Sequence, residues 1–333
     1  MPGSTWSWEP PAGTEAIYGP GGPFEIAVED VLGVPTRVFR ERPASMREVM
    51  VTQTAKFGSA TNLVFPDITL TFSDVLASAT RVAKYFADHG VRKGDRVAFA
   101  SANIAEYAVG WWATVISGAV VSSLNGWWTP AELLHGVELS EPALVFADGP
   151  RRVRLDEAGL PADVEVHDLA DLTPLLGPPR DDDPLLPDAD IIEDDAALLL
   201  FTSGTTGRPK AATLSHRNLV AFPMGTMSSA AAAAILATAP ADAPAPKQPS
   251  SIMVGPLFHV SGVVPLIIGH SICSKLVFPP VGRWSETTHL ELTQEHSVGA
   301  WSAVPTQFWR LLEHPDFDSY DTSSVTTIGG GGA

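Results

Sequence analysis

A short apolar run followed at once by a glycine- and threonine-rich stretch constrains the fold of this chain more than any other feature. Residues 196–201 are Ala-Ala-Leu-Leu-Leu-Phe, which is typical of a buried strand in a mostly parallel sheet. Residues 202–207 contain four hydroxyl side chains and two glycines, and Lys210 follows the second glycine by three positions. Glycines let backbone N–H groups approach a bound group, and the hydroxyls and the lysine add donors. The stretch therefore predicts a loop that binds an anion with several oxygens, above all a polyphosphate.

Other interpretations of this loop are weaker. A turn without a ligand is common after a strand, but the high density of hydrogen-bond donors favours an anion-binding loop over such a turn. The ATPase phosphate loop requires Gly-x-x-x-x-Gly-Lys-Ser/Thr, whereas Lys210 stands three positions after Gly207. A nucleophilic serine requires Gly-x-Ser-x-Gly, and Ser203 follows Phe-Thr. The ATPase phosphate loop and the nucleophilic serine motif are therefore excluded, and a turn without a ligand remains the alternative to an anion-binding loop.

Residues 201–210 closely resemble the phosphate loop of the adenylate-forming superfamily, which includes acyl-CoA synthetases, firefly luciferase and peptide-synthetase adenylation domains. Residues 215–218, Ser-His-Arg-Asn, resemble the Ser-His-x-Asn that usually follows this loop in the superfamily. Ala211 departs from the pattern, because glycine normally follows the lysine. Its methyl group can stiffen the loop or crowd a phosphate. The similarity extends over nearly the whole chain from about residue 45.

A second resemblance lies at residues 256–262, Pro-Leu-Phe-His-Val-Ser-Gly, which are similar to the Pro-x-Phe-His-x-x-Gly stretch beside the acyl and pantetheine channel. A lone histidine is more often structural than catalytic. His259 follows a predicted strand, however, and open α/β sheets bind ligands at strand ends, which favours a binding role. Residues 304–306 and 330–333 also resemble segments that line the acyl and adenine pockets, although a simple turn explains the glycine run equally well.

The resemblance implies which residues contact the substrates. The ATP phosphates are expected to bind at the loop residues Thr202, Ser203, Gly204, Thr205, Thr206, Gly207 and Lys210. The acyl and pantetheine channel is assigned to His259, Val304 and Thr306, and the adenine or acyl pocket to Gly331, Gly332 and Ala333. No catalytic or metal-ligating residue is expected within the chain, because the catalytic lysine of the superfamily is expected beyond residue 333.

The order of elements along the chain predicts an α/β fold of mostly parallel sheets covered by helices in βαβ units. Residues 1–45 are rich in proline and glycine and are expected to form an extended lead-in with little regular structure. Residues 46–333 are expected to form the large N-terminal domain of an adenylate-forming enzyme, incomplete at its C-terminal end and without the small C-terminal domain. Within it, Ser73 is a candidate helix N-cap, and Thr129 with Glu132 predicts a capping box.

Two polar segments and one charge-free segment need separate interpretation. Residues 237–250 are rich in proline and alanine and predict a surface loop. The carboxylates of Asp181, Asp182 and Asp183 suggest a solvated loop rather than a metal site, because like charges in sequence repel each other. Residues 107–130 contain no charge but are interrupted by polar pairs and glycines, so we expect a buried helix, a turn and a strand rather than a membrane span.

Composition limits the partners and the compartment. A formal net charge of −17 argues against nucleic-acid binding, so local donors must hold any ATP. Cys273 is the single cysteine, which excludes an intrachain disulfide and favours the cytoplasm, with peripheral association to a membrane left open. The N-terminus has neither the basic residues nor the apolar segment of a signal peptide.

The sequence therefore predicts the N-terminal part of an acid:CoA ligase, a fatty-acid or related acyl-CoA synthetase that uses ATP with its Mg²⁺ and CoA. This part is expected to be inactive alone, and a homodimer is left open. The alternative is a non-catalytic nucleotide- or acyl-binding module derived from the same fold. The intact mass of the native protein separates the two, because the module should have the 35.3 kDa of this chain and the enzyme should be larger. The acid and the final thiol acceptor stay open.

Overall fold

The computed structural model describes residues 9–202, 208–236 and 247–330. In this part of the chain, two six-stranded sheets are flanked by helices, and two further strands form a separate hairpin. The α-helices are α1 Glu15–Tyr18, α2 Met46–Phe57, α3 Phe72–Asp88, α4 Ala105–Ile116, α5 Pro130–Ser140, α6 Gly149–Ala158, α7 His216–Leu236, α8 Val260–Ser271, α9 Glu286–His296 and α10 Pro305–Leu312. The strands are β1 Ile26–Val31, β2 Val34–Phe39, β3 Thr61–Val64, β4 Thr69–Thr71, β5 Arg96–Ala100, β6 Val120–Leu124, β7 Leu144–Ala147, β8 Val166–Asp168, β9 Ala196–Thr202, β10 Lys210–Ser215, β11 Ser250–Ile252, β12 Lys275–Val277, β13 Ala300–Ala303 and β14 Thr327–Gly330.

The first sheet has the strand order β10-β9-β6-β5-β7-β8. All neighbouring strands are parallel except β10, which pairs antiparallel with β9 at the edge of the sheet. The central strands are buried because helices cover both faces, as expected of parallel sheets. This sheet confirms the predicted α/β class, and it places β9 next to the edge.

The second sheet has the order β14-β13-β11-β12-β3-β4 and is parallel except for β4. Its strands come from distant parts of the chain, since β3 pairs with β12. A separate apolar cluster packs against this sheet and includes Trp301, Leu290 and Leu311. The molecule therefore has two sheets whose carboxyl edges hold the loops that could form a site.

The expectation of little regular structure in residues 1–45 was wrong for residues 26–39. There β1 and β2 form an antiparallel hairpin with Ile26 opposite Phe39. Leu32 and Gly33 form its two-residue turn with φ of 52° and 82°, and positive φ at both central residues suits the twist of a hairpin. Apolar and polar residues do not alternate along its two strands, although such alternation normally marks a half-buried strand, and several of the apolar side chains are exposed. The sequence pattern therefore did not indicate a hairpin.

Five charged side chains fasten this hairpin to the rest of the protein. Arg42 lies 2.8 Å from both Glu29 in β1 and Glu193 in the loop before β9. Arg217 at the start of α7 pairs with Glu193 and lies 2.7 Å from Asp194. The hairpin is thus attached to the elements that precede and follow the predicted phosphate loop.

The charge-free residues 107–130 form part of the core, as predicted. All residues of α4 except Glu106 are buried, and Trp111 packs edge-on against Trp112 with ring centroids 5.0 Å apart. The Tyr107 hydroxyl donates to Ser123 Oγ in β6 at 3.2 Å, and burial raises the pKa of this phenol well above its usual value. Helix α4 therefore packs against the sheet by both apolar and polar contacts.

One helix in the described ranges, α7, has the length and apolar composition of a membrane span. A third of its most apolar 18-residue window is buried inside the protein. A single helix of this kind is weak support for a span, because core helices of soluble proteins share the same composition.

Candidate functional site

The carboxyl ends of the parallel strands place the candidate site residues at corresponding edges of the two sheets. In the first sheet, β5, β6, β7 and β9 run in one direction, and in the second, β11, β12, β13 and β14 do the same. Thr202 ends β9, Gly330 ends β14, and Val304 directly follows β13. Open α/β sheets bind ligands outside the carboxyl ends of their strands, so these positions are the ones where a ligand is expected.

A cavity of about 610 Å³ lies where loops from the two sheets meet. This volume is within the range of small-molecule sites. One wall comes from segments after β5, β6 and β7, and the other from segments after β11 and β12. The lining residues are Ala102, Asn103, Trp127, Arg151, Ile252, Met253, Val254, Pro256, Phe258, Pro279, Pro280, Val281, Gly282, Arg283, Trp284, Ser285, Thr288 and His289. The wall is mostly apolar, carries two arginines and, among the described residues, contains no carboxylate.

Asn103 joins the two walls of this cavity. Its Nδ2 donates to the carbonyl of Gly255 at 2.9 Å, and its Oδ1 accepts from the backbone N–H of Leu257 at 2.8 Å. Both groups belong to the segment between β11 and α8, whereas Asn103 follows β5. One side-chain amide therefore fixes the loop that carries His259 against the first sheet.

The predicted phosphate loop connects two antiparallel strands. Thr202 pairs with Lys210 across the β9–β10 ladder, and Thr202 Oγ1 lies 3.5 Å from the Lys210 carbonyl. Ser203, Gly204, Thr205, Thr206 and Gly207 lie outside the described residues, so their assignment stays a prediction. The Thr202 hydroxyl and the exposed Lys210 ammonium group therefore lie at the same end of the β9–β10 hairpin.

Lys210 lies in a shallow depression of about 520 Å³, separate from the larger cavity. The depression is also lined by Arg208 and by His135, whose Nε2 lies 3.0 Å from the Pro209 carbonyl. Lys210 has no carboxylate partner among the described residues. Its ammonium group is thus available to an anion, as phosphate binding requires.

Two adjacent tryptophans after β6 link the β9–β10 hairpin to the cavity. The Trp128 ring packs edge-on against Phe201, directly before Thr202, with centroids 5.1 Å apart. The Trp127 ring packs in the same manner against Phe258, directly before His259, at 5.0 Å. Consecutive residues therefore contact the base of the predicted phosphate loop and the His259 segment.

His259 is the N-cap of α8. Its Nδ1 accepts from the Ser261 N–H at 3.2 Å and lies 3.0 Å from Ser261 Oγ, and its side chain is exposed. Phe258, but not His259, is among the residues that line the cavity. The prediction that His259 and Thr206 face one cleft stays a prediction, because Thr206 lies outside the described residues.

Two of the remaining predicted pocket residues, Val304 and Thr306, lie at the start of α10. Val304 is the N-cap of α10, with its N–H donating to Gln307 Oε1 at 3.1 Å, and Thr306 is exposed in the first turn of that helix. Gly330 pairs with Ala303 across β14 and β13. Gly331, Gly332 and Ala333 follow it and lie outside the described residues, so their role is likewise a prediction.

Sequence reasoning missed several residues that shape the cavity, namely Asn103, Trp127, Arg151, Trp284 and His289. The first three follow the strands β5, β6 and β7, so their position after buried apolar runs was a usable signal. Arg151 donates to the carbonyl of Gly126 at 3.1 Å and pairs with Asp148 at 3.1 Å, which holds it in the wall. The last two lie on or before α9, where no sequence pattern indicated a cavity.

Comparison with known proteins supplies the family. The AMP-binding enzyme family model matches residues 50–333. An acyl-CoA ligase of Aspergillus fumigatus, sidI, is 26% identical over 317 residues, covering 85% of this chain and 50% of the relative. A long-chain-fatty-acid–CoA ligase of Bacillus subtilis is 23% identical over 325 residues, covering 87% of this chain and 55% of the relative. The chain thus spans about half the length of these curated relatives.

A solved structure has the same fold. The N-terminal domain of FACL13 from Mycobacterium tuberculosis superposes with a TM-score of 0.74 at 22% identity, covering 87% of this chain and 70% of that one. At this identity the match concerns the fold alone, and it agrees with the sheets and helices described above. Together with the family match over most of the chain, it confirms the resemblance found in the phosphate-loop sequence. The chain belongs to the AMP-binding enzyme family, the adenylate-forming enzymes that include the acyl-CoA ligases.

Proposed function

We propose that the protein acts as an ATP-dependent acid:CoA ligase, which forms an acyl-adenylate and then a thioester. The observation that carries this proposal is the tryptophan pair, which connects the Thr202–Lys210 hairpin to a ligand-sized cavity. A lysine without a carboxylate partner among the described residues, connected through the tryptophan pair to a mostly apolar cavity, suits a reaction between a nucleoside polyphosphate and an organic acid. The names of the curated relatives support the same activity.

In this proposal the phosphate-binding side chains are Thr202, Lys210 and the hydroxyls between them. The chain carries an overall charge of −17, so attraction of ATP depends on these local donors. Mg²⁺ enters with ATP as part of the substrate. The cavity receives the acid and the pantetheine arm of CoA.

The two half-reactions follow from the groups involved. A carboxylate oxygen of the acid forms a bond to the α-phosphorus of ATP, and pyrophosphate leaves with the electron pair of the broken P–O bond. The thiol of CoA, after loss of its proton, then attacks the acyl carbonyl carbon and releases AMP. The chain's own contribution is to position the acid and to neutralise the phosphates, since little covalent chemistry is required of the protein.

The proposal predicts that Lys210→Met lowers acid-dependent ATP–pyrophosphate exchange. The variant keeps the length of the side chain but removes its charge, and loss of one oriented electrostatic contact typically costs roughly 10²-fold in rate. Exchange is measured in the native full-length protein with a panel of aliphatic and aromatic acids. Lys84→Met is the matched control, because Lys84 forms an exposed ion pair with Asp88 far along the chain from the hairpin. Equal exchange rates in the Lys210→Met and Lys84→Met proteins would contradict the phosphate role.

Residues 1–333 assayed alone are expected to show exchange near background. By the family resemblance, the catalytic lysine and the magnesium ligand are expected outside these residues. The rate losses caused by removing catalytic groups that act together are not additive, so the individual factors are not multiplied. The measurement compares this polypeptide with the native protein at equal concentration and with the same acids. Robust exchange by residues 1–333 would instead place the catalytic groups within the chain.

A further inference from the structure

The Asn103 amide makes the only hydrogen bonds, within the described ranges, between residues 255–262 and the loops of the first sheet. Its Nδ2 donates to the Gly255 carbonyl at 2.9 Å, and its Oδ1 accepts from the Leu257 N–H at 2.8 Å. Neither backbone group has a second hydrogen-bond partner in the described part of the chain. Backbone groups withdrawn from water are nearly always paired, so the segment depends on Asn103 for its position.

The two residues that bond to Asn103 alternate with residues that line the cavity. Every second residue of this stretch is in the lining, namely Val254, Pro256 and Phe258. Leu257 is fully buried in the main apolar core instead. An asparagine side chain presents an N–H donor and a carbonyl acceptor as a peptide group does, so it can hold Gly255 and Leu257 together. These two bonds therefore fix which side chains of the segment face the cavity.

The segment is too tightly folded to absorb a displacement internally. A Cβ atom at Gly255 would lie only 2.4 Å from the Ser261 carbonyl oxygen. A Cβ atom at Gly262 would lie 2.3 Å from the Pro256 carbonyl oxygen. Only glycine permits such close backbone approach at these two positions. A shift at the start of the segment is therefore transmitted to Phe258 in the cavity wall.

The loop that carries Asn103 is itself held by Asp148. The Asp148 Oδ2 accepts from the Ala102 N–H at 2.9 Å and lies 3.4 Å from Ser101 Oγ. Asp148 directly follows β7 and is the N-cap of α6. A continuous set of hydrogen bonds thus runs from the end of β7, through the loop after β5, to the segment after β11.

The other contact across the two walls is apolar. The Trp127 and Phe258 rings pack edge-on with centroids 5.0 Å apart. Apolar contact is non-directional, so it holds the walls together without selecting the backbone groups that meet. The direction comes from the Asn103 amide.

We propose that Asn103 is a positioning residue for the acid substrate. In this inference, which rests on the proposed function, its amide keeps Phe258 in place in the wall of the cavity that receives the acid. Asn103 acts through the segment, since both of its polar atoms are already bonded to the backbone of that segment. The carboxylate of the acid must meet ATP in an aligned geometry, so a small displacement of this wall is enough to slow the reaction.

The test measures acid-dependent ATP–pyrophosphate exchange by the native full-length protein and by Asn103→Leu, which has a similar size but lacks both polar atoms. We expect kcat/KM for the acid to fall roughly 10-fold to 10²-fold, the effect of a misplacement on the order of 1 Å. KM for ATP should stay unchanged, because the Trp128–Phe201 contact and the β9–β10 ladder hold the phosphate-loop hairpin independently of Asn103. A general loss of structure would not separate the two substrates in this way.

Asn62→Leu is the matched control. The Asn62 amide also bridges distant segments, since it donates to the Ser274 carbonyl at 3.2 Å and lies 3.0 Å from His270 Nδ1, but it is absent from the cavity lining. Urea unfolding gives the stability of each variant, and activity is compared per folded protein. We expect Asn62→Leu to be less stable but to keep the native kcat/KM for the acid.

Asn103→Asp provides a second variant if Asn103→Leu does not fold. It preserves the shape of the side chain and the acceptor for the Leu257 N–H, but the ionised carboxylate cannot donate to the Gly255 carbonyl. A role in packing alone predicts native activity for this variant, whereas positioning by hydrogen bonds predicts a loss in kcat/KM for the acid. Native kcat/KM in Asn103→Asp, or in folded Asn103→Leu, would overturn the proposal.

Failure of this inference is distinguishable from failure of the ligase proposal. Native protein that exchanges normally, with Asn103 variants that match it, would reject positioning and leave the ligase intact. Native protein that shows no exchange with any acid would reject the ligase, and ¹⁹F NMR of 5-fluorotryptophan-labelled protein then tests the geometry. The Trp127 signal, assigned with Trp127→Phe, should shift in Asn103→Asp and not in Asn62→Leu. A Trp127 signal that stays unmoved in Asn103→Asp would reject the positioning of the segment as well.

Discussion

Lowering the pH from 7 to 5 is expected to reduce the free energy of unfolding by roughly 5 kcal/mol through three buried histidines. Burial lowers the pKa of His216, His270 and His289 to about 4 each. An unfolded histidine has a pKa near 6.5, so between pH 6.5 and 4 the unfolded chain binds protons that the folded chain does not. Stability is then complete above pH 6.5 and falls as the pH decreases toward 4, by about 2 kcal/mol for each histidine at pH 5.

The surroundings of these histidines explain why they stay neutral. His216 Nδ1 accepts from the Met46 N–H at 3.2 Å beneath α2, although the nearby Asp195 carboxylate partly favours the charged ring. The His270 ring lies 4.8 Å from the Phe72 ring and 4.7 Å from Trp112, with Nδ1 3.0 Å from Asn62 Oδ1. Among the described residues, no carboxylate forms an ion pair with either ring, so the loss of hydration of an added proton is not offset.

Urea unfolding monitored by circular dichroism at pH 7, 6, 5.5 and 5 measures this dependence. Replacing each histidine in turn with glutamine should reduce the slope of unfolding free energy against pH by about a third. The interval from pH 7 to 8 is the internal control, because it lies above the pKa of an unfolded histidine and should show little change from these groups. A slope between pH 6.5 and 5 that is the same in all three variants and in the unmodified protein would refute this account.

The second large effect is expected from Arg81→Met, which should lower the free energy of unfolding by about 3–5 kcal/mol. Arg81 in α3 is 6% exposed and its guanidinium lies 2.6 Å from Asp183. It also donates to the carbonyls of Leu175 at 2.7 Å and Gly177 at 2.8 Å. Removing the guanidinium leaves these acceptors and a carboxylate without their partner in a partly buried position, which is the costly way to break an ion pair.

These contacts also correct one expectation about the aspartate run. Asp181 and Asp182 are exposed, as predicted for a solvated loop, but Asp183 is paired with Arg81. Burial raises the pKa of the Asp183 carboxyl, but the hydrogen bonds from Arg81 and the Arg180 backbone, together with the charges of these two arginines, outweigh burial and hold the pKa below its usual value. The sequence could not reveal this pair, because 102 positions separate its members.

Thermal and urea unfolding of Arg81→Met and of Arg40→Met give the comparison. Arg40 pairs with Glu25 but its own side chain is largely exposed, so its replacement should change stability by less than about 1 kcal/mol. Similar losses for the two variants would mean that the buried contacts of Arg81 contribute no more than an exposed pair. The difference between the variants thus isolates the effect of burial.

Elements with strong local signals were predictable. Thr129 with Glu132 forms the predicted capping box of α5. The N-cap of α3 is Thr71 rather than Ser73, because Thr71 exchanges hydrogen bonds with Asp74 in a capping box. Ser73 has the right chemistry but lacks a matching acidic residue three positions later.

The parts that were missed depend on contacts between distant residues. Strand β10 follows the phosphate loop, and its half-buried and exposed residues do not alternate regularly, so no strand pattern marked it in the sequence. The phosphate-loop motif located Thr202 and Lys210 because the relevant donors are adjacent in sequence. The cavity depends on Asn103 meeting residues near 255, a contact across 152 positions that no local pattern encodes.

The pairing of β3 with β12 sets an order of events during synthesis. Leu63 of β3 lies beside Leu276 of β12, so more than 200 residues must be translated before this pair can form. At roughly 5–20 residues per second, β3 and β4 wait on the order of 10–40 s outside the ribosome for their neighbour. The strands of the first sheet lie between them in the sequence and can associate earlier. The nascent chain therefore holds one edge of β3 without its β12 neighbour while the strands of the first sheet can already pair.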